Sequence, residues 1–270
     1  MAEPAGTYRV YAVKYAERDA RRPEHFLGGD PHDVPMPMDY FVWAIVGADS
    51  TWVVDTGFGA HDAERRRRRL FRSAAEALEL VEVDAGIVRD VILTHLHYDH
   101  AGGLEHFPRA RFHLQDREMA YATGRHMATP VLGQAFTATH IAALVHAVHD
   151  GRVAFHAGDD ELAPGLSVHL IGGHTDGLQV VRVRTDSGWL VLASDATHYY
   201  ENMETGRPFP TVYDVGAMLQ GYDTMRRLAA PGDAIVPGHD PLVLSRYPPA
   251  GPGLEGIAVR LDAGARPGPT

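Results

Sequence analysis

The alternation of apolar and polar residues first appears at 8–15 (YRVYAVKY), where aromatic and β-branched residues recur with the period of a strand. Segments 40–46 (YFVWAIV) and 51–54 (TWVV) read as a second and third strand, joined by a Gly-Ala-Asp-Ser turn. From 62 to 80 the period changes. Leu70, Phe71, Ala74, Ala77 and Leu78 recur at helical spacing, so one helix is predicted there. Short buried strands follow at 91–93 and 110–114, and Asp116 reads as the N-cap of a helix through Tyr121. Segment 124–150 reads as an insertion carrying one helix, 138–148. Strands are predicted near 152–155, 166–171, 178–184 and 188–193, then a helix over 215–228 with Met218, Leu219, Tyr222, Met225 and Leu228 on one side. A core strand at 234–236, a strand within 254–261 and a loose tail at 264–270 complete the chain. Strands and helices follow one another without regular βαβ alternation. The expected architecture is α/β, with layered mixed sheets covered by helices, and no repeat or linker divides residues 1–270 into more than one domain.

Composition changes this picture in three ways. The chain of 270 residues carries 25 Lys+Arg against 35 Asp+Glu, a net charge of −10, which argues against nucleic acid as a partner. It has no cysteine, so disulfides, thiolate metal sites and cysteine nucleophiles are excluded. It has 17 histidines, so a metal site here would be built from His, Asp and Glu. The first 22 residues carry charges throughout, and no run of about 18 apolar residues occurs, so neither a signal peptide nor a membrane span is expected and a cytoplasmic location follows by default.

The candidate chemistry is concentrated in Thr94-His95-Leu96-His97-Tyr98-Asp99-His100, directly after the strand at 91–93. His95 and His97, two apart in extended backbone, point to one side and can hold one metal. Asp99 and His100 follow where Ala101-Gly102-Gly103 lets the chain turn, and can face a second. Three histidines and an aspartate at one strand end have no ordinary structural use, because unpaired buried polar groups cost free energy. Further ligands stand after later strands: His174 in Gly-Gly-His-Thr, Asp195 in Ala-Ser-Asp-Ala, and His239 in Pro-Gly-His-Asp.

These motifs in this order, together with Asp55 in Val-Val-Asp-Thr-Gly, resemble the metallo-β-lactamase superfamily over about 8–247. The resemblance implies an αββα sandwich of two mixed sheets flanked by helices. It implies that His95, His97 and His174 hold one metal, that Asp99, His100 and His239 hold another, and that Asp195 bridges them. Asp55 is implied to orient a ligand histidine without touching metal. His97 stands where the di-iron branch has Glu, and the chain lacks the cysteine of many true β-lactamases, so two Zn2+ are implied, with Fe, Mn or Co also compatible with imidazole and carboxylate. Two such ions sharing a hydroxide would supply the nucleophile, and Asp99 would carry the proton to the leaving oxygen.

The stretch from Asp195 through Glu201-Asn202 to Pro208-Phe209 is similar to N-acyl homoserine lactonases, a branch that includes 4-pyridoxolactonase. This implies hydrolysis of a lactone, with an N-acyl homoserine lactone and hence quorum quenching as the leading reading. Another lactone, or a thioester of the glyoxalase II kind, is the alternative. His198 stands where known members have a tyrosine that holds the lactone carbonyl; an imidazole can donate to the developing oxyanion, and Tyr199 or Tyr200 could assist. Met36, Met38, Tyr40, Phe41 and Phe136, with Ile141 and Leu144, are candidate pocket walls. The five arginines from Arg65 to Arg69 read as a solvated helix face, with an anion or partner patch as the alternative, and His140, His146 and His149 as surface residues. The partner is a small, not polyanionic substrate; a homodimer packed through the apolar N-terminal loop fits the same reading.

Overall fold

The computed structural model describes residues 6–230 and 232–265. Seven strands come first in chain order: β1 (Arg9–Arg18), β2 (Met38–Val46), β3 (Thr51–Val54), β4 (Arg69–Leu70), β5 (Asp90–Ile92), β6 (Arg111–Gln115) and β7 (Val153–His156). Five more follow: β8 (Asp160–Ala163), β9 (Leu166–Leu170), β10 (Gln179–Thr185), β11 (Gly188–Ser194) and β12 (Ala234–Pro237). A last strand, β13 (Ala258–Arg260), returns to β1. The first sheet has the order β13-β1-β2-β3-β5-β6-β7, with β4 on β1; the second has the order β12-β11-β10-β9-β8. Strands β3, β5, β6 and β7 pair in parallel, as do β11 and β12. Both sheets are therefore mixed, as expected.

The helices are α1 (Ala60–Arg66), α2 (Ala74–Glu79), α3 (Asp116–Ala122), α4 (Pro130–Gly133), α5 (Ala138–His149), α6 (Tyr200–Thr205), α7 (Val215–Leu228) and α8 (Leu242–Arg246). Three layers of apolar packing hold them. Phe41, Trp43 and Ile45 of β2 interleave with Val168, Val181 and Leu192 between the sheets. Tyr40, Val42 and Ala44 on the opposite side of β2 pack beneath Ala74, Ala77 and Leu78. Met218, Tyr222 and Met225 of α7 cover Val180 and Val191 of the second sheet. The result is a helix–sheet–sheet–helix sandwich, and β2 reads as continuously apolar because both of its faces are covered.

Several predicted boundaries move. The expected helix over 62–80 is two helices. It stops at Arg66 because Arg67 adopts left-handed backbone (φ 55°), after which β4 adds to β1. Phe71, assigned to the apolar face of that helix, is exposed. A new N-cap at Ser73 then starts α2, its hydroxyl accepting from the Glu76 amide. Gln115, not Asp116, is the N-cap of α3. The insertion carries a 3-10 turn (Arg125–Ala128) and α4 besides α5. Strand β8 and helices α6 and α8 lack a strong period and were not expected. The strand within 254–261 contracts to β13. Of the tail, 266–270 lie outside the described residues. No helix among the described residues is long and apolar enough to cross a membrane.

Candidate metal centre

Every candidate ligand leaves the C-terminal end of a strand at one edge of the sandwich. Residues 94–100 follow β5, Asp55 follows β3, His174 follows β9, Asp195 follows β11 and His239 follows β12. Backbone hydrogen bonds fix these loops to one another. The Thr56 amide donates to the His100 carbonyl (2.7 Å), the Asp39 amide to His239 (3.0 Å) and the Gln179 amide to Thr94 (2.9 Å). Asp55 and Ser194, non-glycine residues at φ 64° and 45°, are held in left-handed backbone beside the site, a strain typical of functional positions.

The side chains converge in two groups. Ligand atoms of His95, His97, His174 and Asp195 all lie within 4.8 Å of one another, and so do those of Asp99, His100 and His239. Asp195 faces both. Its Oδ2 is 3.1 Å from His174 Nε2 and 3.7 Å from His95 Nε2, while its Oδ1 is 3.3 Å from His100 Nε2 and 2.9 Å from His239 Nε2. The outward nitrogens of His100, His174 and His239 are occupied. His100 Nδ1 donates to Asp55 Oδ2 (2.7 Å), His174 Nδ1 to the Thr211 carbonyl (2.6 Å) and His239 Nδ1 to the Asp39 carbonyl (2.8 Å). These bonds select the tautomer in which Nε2 presents a lone pair inward. Asp55 also accepts from the Thr94 amide (2.8 Å), and the Thr94 hydroxyl lies 2.9 Å from Ser194 Oγ.

The fit to a cation rests on atoms left over. His95 Nε2, His100 Nε2, His239 Nε2 and Asp195 Oδ1 are buried without a hydrogen-bond partner, and all four point into the same space. Buried polar atoms are almost always satisfied, so four converging lone-pair donors at one point fit metal ions. His97 Nδ1 lies 3.0 Å from His174 Nε2, a separation that needs a proton or a cation between two lone pairs. The electrostatics of His95, His97 and Asp195 agree, whereas at His100 burial is outweighed by the carboxylates of Asp195, Asp55 and Asp99, which hold its imidazole well above the ordinary range. Burial, reinforced by neighbouring imidazoles, pushes His95 and His97 well below the ordinary imidazole range, so both are neutral. Burial alone would raise the Asp195 carboxyl, yet the imidazoles of His198, His239, His100 and His174 hold it well below the carboxylate range. Neutral imidazole and ionised carboxylate are the ligating forms.

A cavity of about 370 Å3 opens over these groups, lined by His97, Asp99, His174, Asp195, His198 and His239 among others. His198 faces it as expected. Its Nε2 is 3.0 Å from Asp195 Oδ2 and its ring stacks on Phe209 with centroids 3.7 Å apart. Burial presses its imidazole down to about 3, so it is neutral and Nε2–H donates to Asp195. Met38 and Tyr40 also line the cavity.

Other expected wall residues do not line it. Phe41 points between the sheets, because β2 alternates and Tyr40 takes the cavity side. Met36 packs outside, in a separate depression with Tyr199 and Tyr200. The Tyr199 hydroxyl turns away to donate to the Pro37 carbonyl (3.0 Å), beside His25 Nε2 (3.1 Å). Tyr200 enters the intersheet core. Phe136 stands behind His97 (4.6 Å between rings) and faces, with Ile141, a second apolar cavity of about 470 Å3, while Leu144 is core. His140 is not a surface residue: its Nε2 lies 3.3 Å from buried Asp62. His146 and His149 are exposed. The arginine run is a solvated face only in part: Arg65, Arg67 and Arg69 are exposed, whereas Arg66 and Arg68 line the cavity.

One residue was missed altogether. Glu118, fully buried in α3, accepts from the Leu96 amide (2.9 Å), the Thr175 hydroxyl (2.7 Å) and the Gly177 amide (3.0 Å). It ties the loop of His95 and His97 to the loop of His174. Its signal was positional, because Glu118 shares the buried helix face with Tyr121 and Ala122 at i+3 and i+4.

Comparison with known proteins places these features in context. The profile of the Metallo-beta-lactamase superfamily matches residues 36–239. The probable metallo-hydrolase Rv2300c of Mycobacterium tuberculosis is 26% identical over 226 residues, 72% of this chain and 72% of its own. The N-acyl homoserine lactonase AiiB of Rhizobium rhizogenes is 31% identical over 131 residues, 47% of each chain. A solved quorum-quenching N-acyl homoserine lactone lactonase superposes with a TM-score of 0.73 at 21% identity, covering 89% of this chain and 94% of its own.

Proposed function

The chain belongs to the metallo-beta-lactamase superfamily, and from that premise we propose that it is a dinuclear zinc hydrolase that opens the ring of a lactone. The observation that carries this reading is the set of four partnerless inward atoms around Asp195. His95, His97 and His174 would hold one ion; Asp99, His100 and His239 would hold the other; each oxygen of Asp195 would face one of them. All seven side chains offer nitrogen or oxygen, and neutral imidazole with carboxylate suits zinc. Such an ion pair, when bound, supplies Lewis-acid polarisation of a carbonyl and a nucleophilic water near neutral pH.

The chain's own groups do the rest. Asp55 orients His100 through the 2.7 Å bond to Nδ1. Asp99 lines the cavity and sits 3.9 Å from both His100 Nε2 and His239 Nε2, a position from which its carboxylate can move a proton from water to the departing ring oxygen. His198, stacked on Phe209, holds the orientation of Asp195. Because Phe41, Tyr199 and Phe136 are turned away, substrate meets a polar wall with Met38 and Phe209 as its larger apolar contacts. The lactonase similarities support N-acyl homoserine lactones as the first substrates to try.

The test combines metal analysis with a pH-indicator assay across N-acyl homoserine lactones, plain γ-lactones, 4-pyridoxolactone and S-lactoylglutathione. About two zinc ions per chain and acid release from a lactone are expected. Acid release from the thioester alone would refute the lactonase reading. Asp99→Asn should lower ring opening by roughly 100-fold or more while zinc is partly retained, and full activity in that variant removes Asp99 from proton transfer.

A further inference from the structure

One side of the cavity carries positive charge that neither the fold nor the metal centre uses. Arg18 ends β1, Arg66 ends α1 and Arg68 lies in the connection to β4; all three line the cavity with Tyr98 and Asp99. Two of them, Arg66 and Arg68, are held in place. Arg68 Nε donates to the Tyr98 hydroxyl (3.0 Å) and its Nη1 to the Arg66 carbonyl (2.7 Å). The Arg66 guanidinium lies 3.8 Å above the Tyr98 ring. Tyr98 in turn donates to the Tyr40 hydroxyl (3.2 Å), and the Tyr40 ring meets His239 edge-on at 5.1 Å. Arg66 and Arg68 are thus fastened to the same scaffold that positions the centre.

Their charges are incompletely balanced. Among the described residues Arg18 has only Glu24 as an ion-pair partner (3.6 Å) and Arg66 has only Asp62 (3.4 Å), a carboxylate it shares with Arg65 and His140. Arg68 makes no salt bridge among the described residues. Arg18 Nε and Arg66 Nη2 are buried with no hydrogen-bond partner. Asp99 faces the same space but is committed to the second ligand group. Guanidinium groups stay charged at any working pH, and leaving their donors unmatched in a confined site costs free energy unless a ligand supplies the acceptor.

We infer that this wall binds a carboxylate on the substrate, so that the lactone opened here is an anionic one. The inference rests on the lactonase reading and narrows it. A planar fork of guanidinium donors matches a planar carboxylate better than an uncharged acyl chain. The apolar surface suited to such a chain, around Met127, Phe136 and Ile141, belongs to the other cavity, behind Phe136. In the reaction, water adds to the ring carbonyl carbon, the ring C–O bond breaks and the alkoxide takes the proton. The product then carries two carboxylates, the second held by the arginines.

The test uses the zinc-loaded full chain with 5-oxotetrahydrofuran-2-carboxylate and its carboxamide, which differ only in charge. The carboxylate is expected to be opened with kcat/KM at least about tenfold higher. That ratio should fall about tenfold in Arg68→Gln and in Arg66→Met. Calorimetry provides a second readout: 2-hydroxypentanedioate, the ring-opened product, should bind the wild type more tightly than its monoamide, and the difference should shrink in both variants. Equal or faster opening of the carboxamide, or a ratio that neither variant changes, overturns the inference while leaving the lactonase reading intact. If neither lactone is opened but the arginine-dependent preference in binding persists, the anion site stands and the lactonase reading falls. Competition by inorganic phosphate at lower concentration than by 2-hydroxypentanedioate overturns the carboxylate assignment.

Discussion

Replacing Glu118 by alanine removes one carboxylate and leaves three donors behind. The Leu96 amide, the Gly177 amide and the Thr175 hydroxyl all end on it, at 2.9, 3.0 and 2.7 Å, in a position with no solvent exposure. Burial raises the Glu118 carboxyl above its ordinary range, and the three donors pull it back toward the ionised form. The Gly177 backbone packs so closely against that of Glu118 that a Cβ there would clash with it. Each orphaned donor costs about 1–3 kcal/mol, and loss of one partner from a buried charged network about 3–5 kcal/mol in all. For a chain of this size 1 kcal/mol moves the melting temperature by roughly 2–4 °C, so a fall of roughly 6–20 °C is expected in a thermal melt. Glu118→Gln keeps one acceptor oxygen but turns an NH2 toward a donor, and should lose about half as much. Because the carboxylate joins the loop of His97 to the loop of His174, zinc affinity measured against a competing chelator should fall about 10–100-fold in the alanine variant. An alanine variant that melts within about 2 °C of wild type and keeps its zinc affinity would refute the bracing role.

Two further outcomes follow from groups near the cavity. His25 is fully buried, with Nε2 bonded to the Met36 carbonyl (2.8 Å) and Nδ1 facing no partner; burial lowers it to about 4. Its folded value lies below the unfolded one near 6.5, so its contribution to stability is complete above about pH 6.5 and is lost as pH falls toward 4. Between pH 7 and 5 this amounts to about 1–2 kcal/mol, and His25→Gln should show a correspondingly shallower loss of melting temperature over that range; an unchanged slope would exclude His25 as the source. His198→Ala removes the 3.0 Å donor to Asp195 and the partner of Phe209, and should lower kcat about 10–100-fold while His198→Tyr retains more activity; identical kinetics in both variants would show that the position does not act on the site.

The seven candidate ligands were legible in the sequence because each follows a strand, and a strand end fixes where the next few side chains begin. Helix α7 was found to the residue because its 14 residues repeat their apolar positions for four turns and start at Asp214, whose side chain accepts from the Ala217 amide. The break between α1 and α2 was not found, since Arg67 differs from its four neighbours only in its backbone angle. That angle ends the helix and sends Arg66 and Arg68 into the cavity, a split that the run of five identical residues could not reveal.

By itself, then, the sequence determined the types of the candidate ligands, the absence of thiolate chemistry and the strands that carry the candidate site, because these depend on residue identity and local period. Which side chains line the cavity was decided only by the tertiary structure. Both faces of β2 are apolar, so Tyr40 and Phe41 look equivalent until pairing with β1 and β3 fixes which face meets the second sheet. Glu118, Thr94 and the arginine wall act across 22 to 100 residues of chain, between atoms that no spacing rule brings together. Contacts of that range exist only after the layers have packed, and they set the charge and shape of the cavity in which the ligands work.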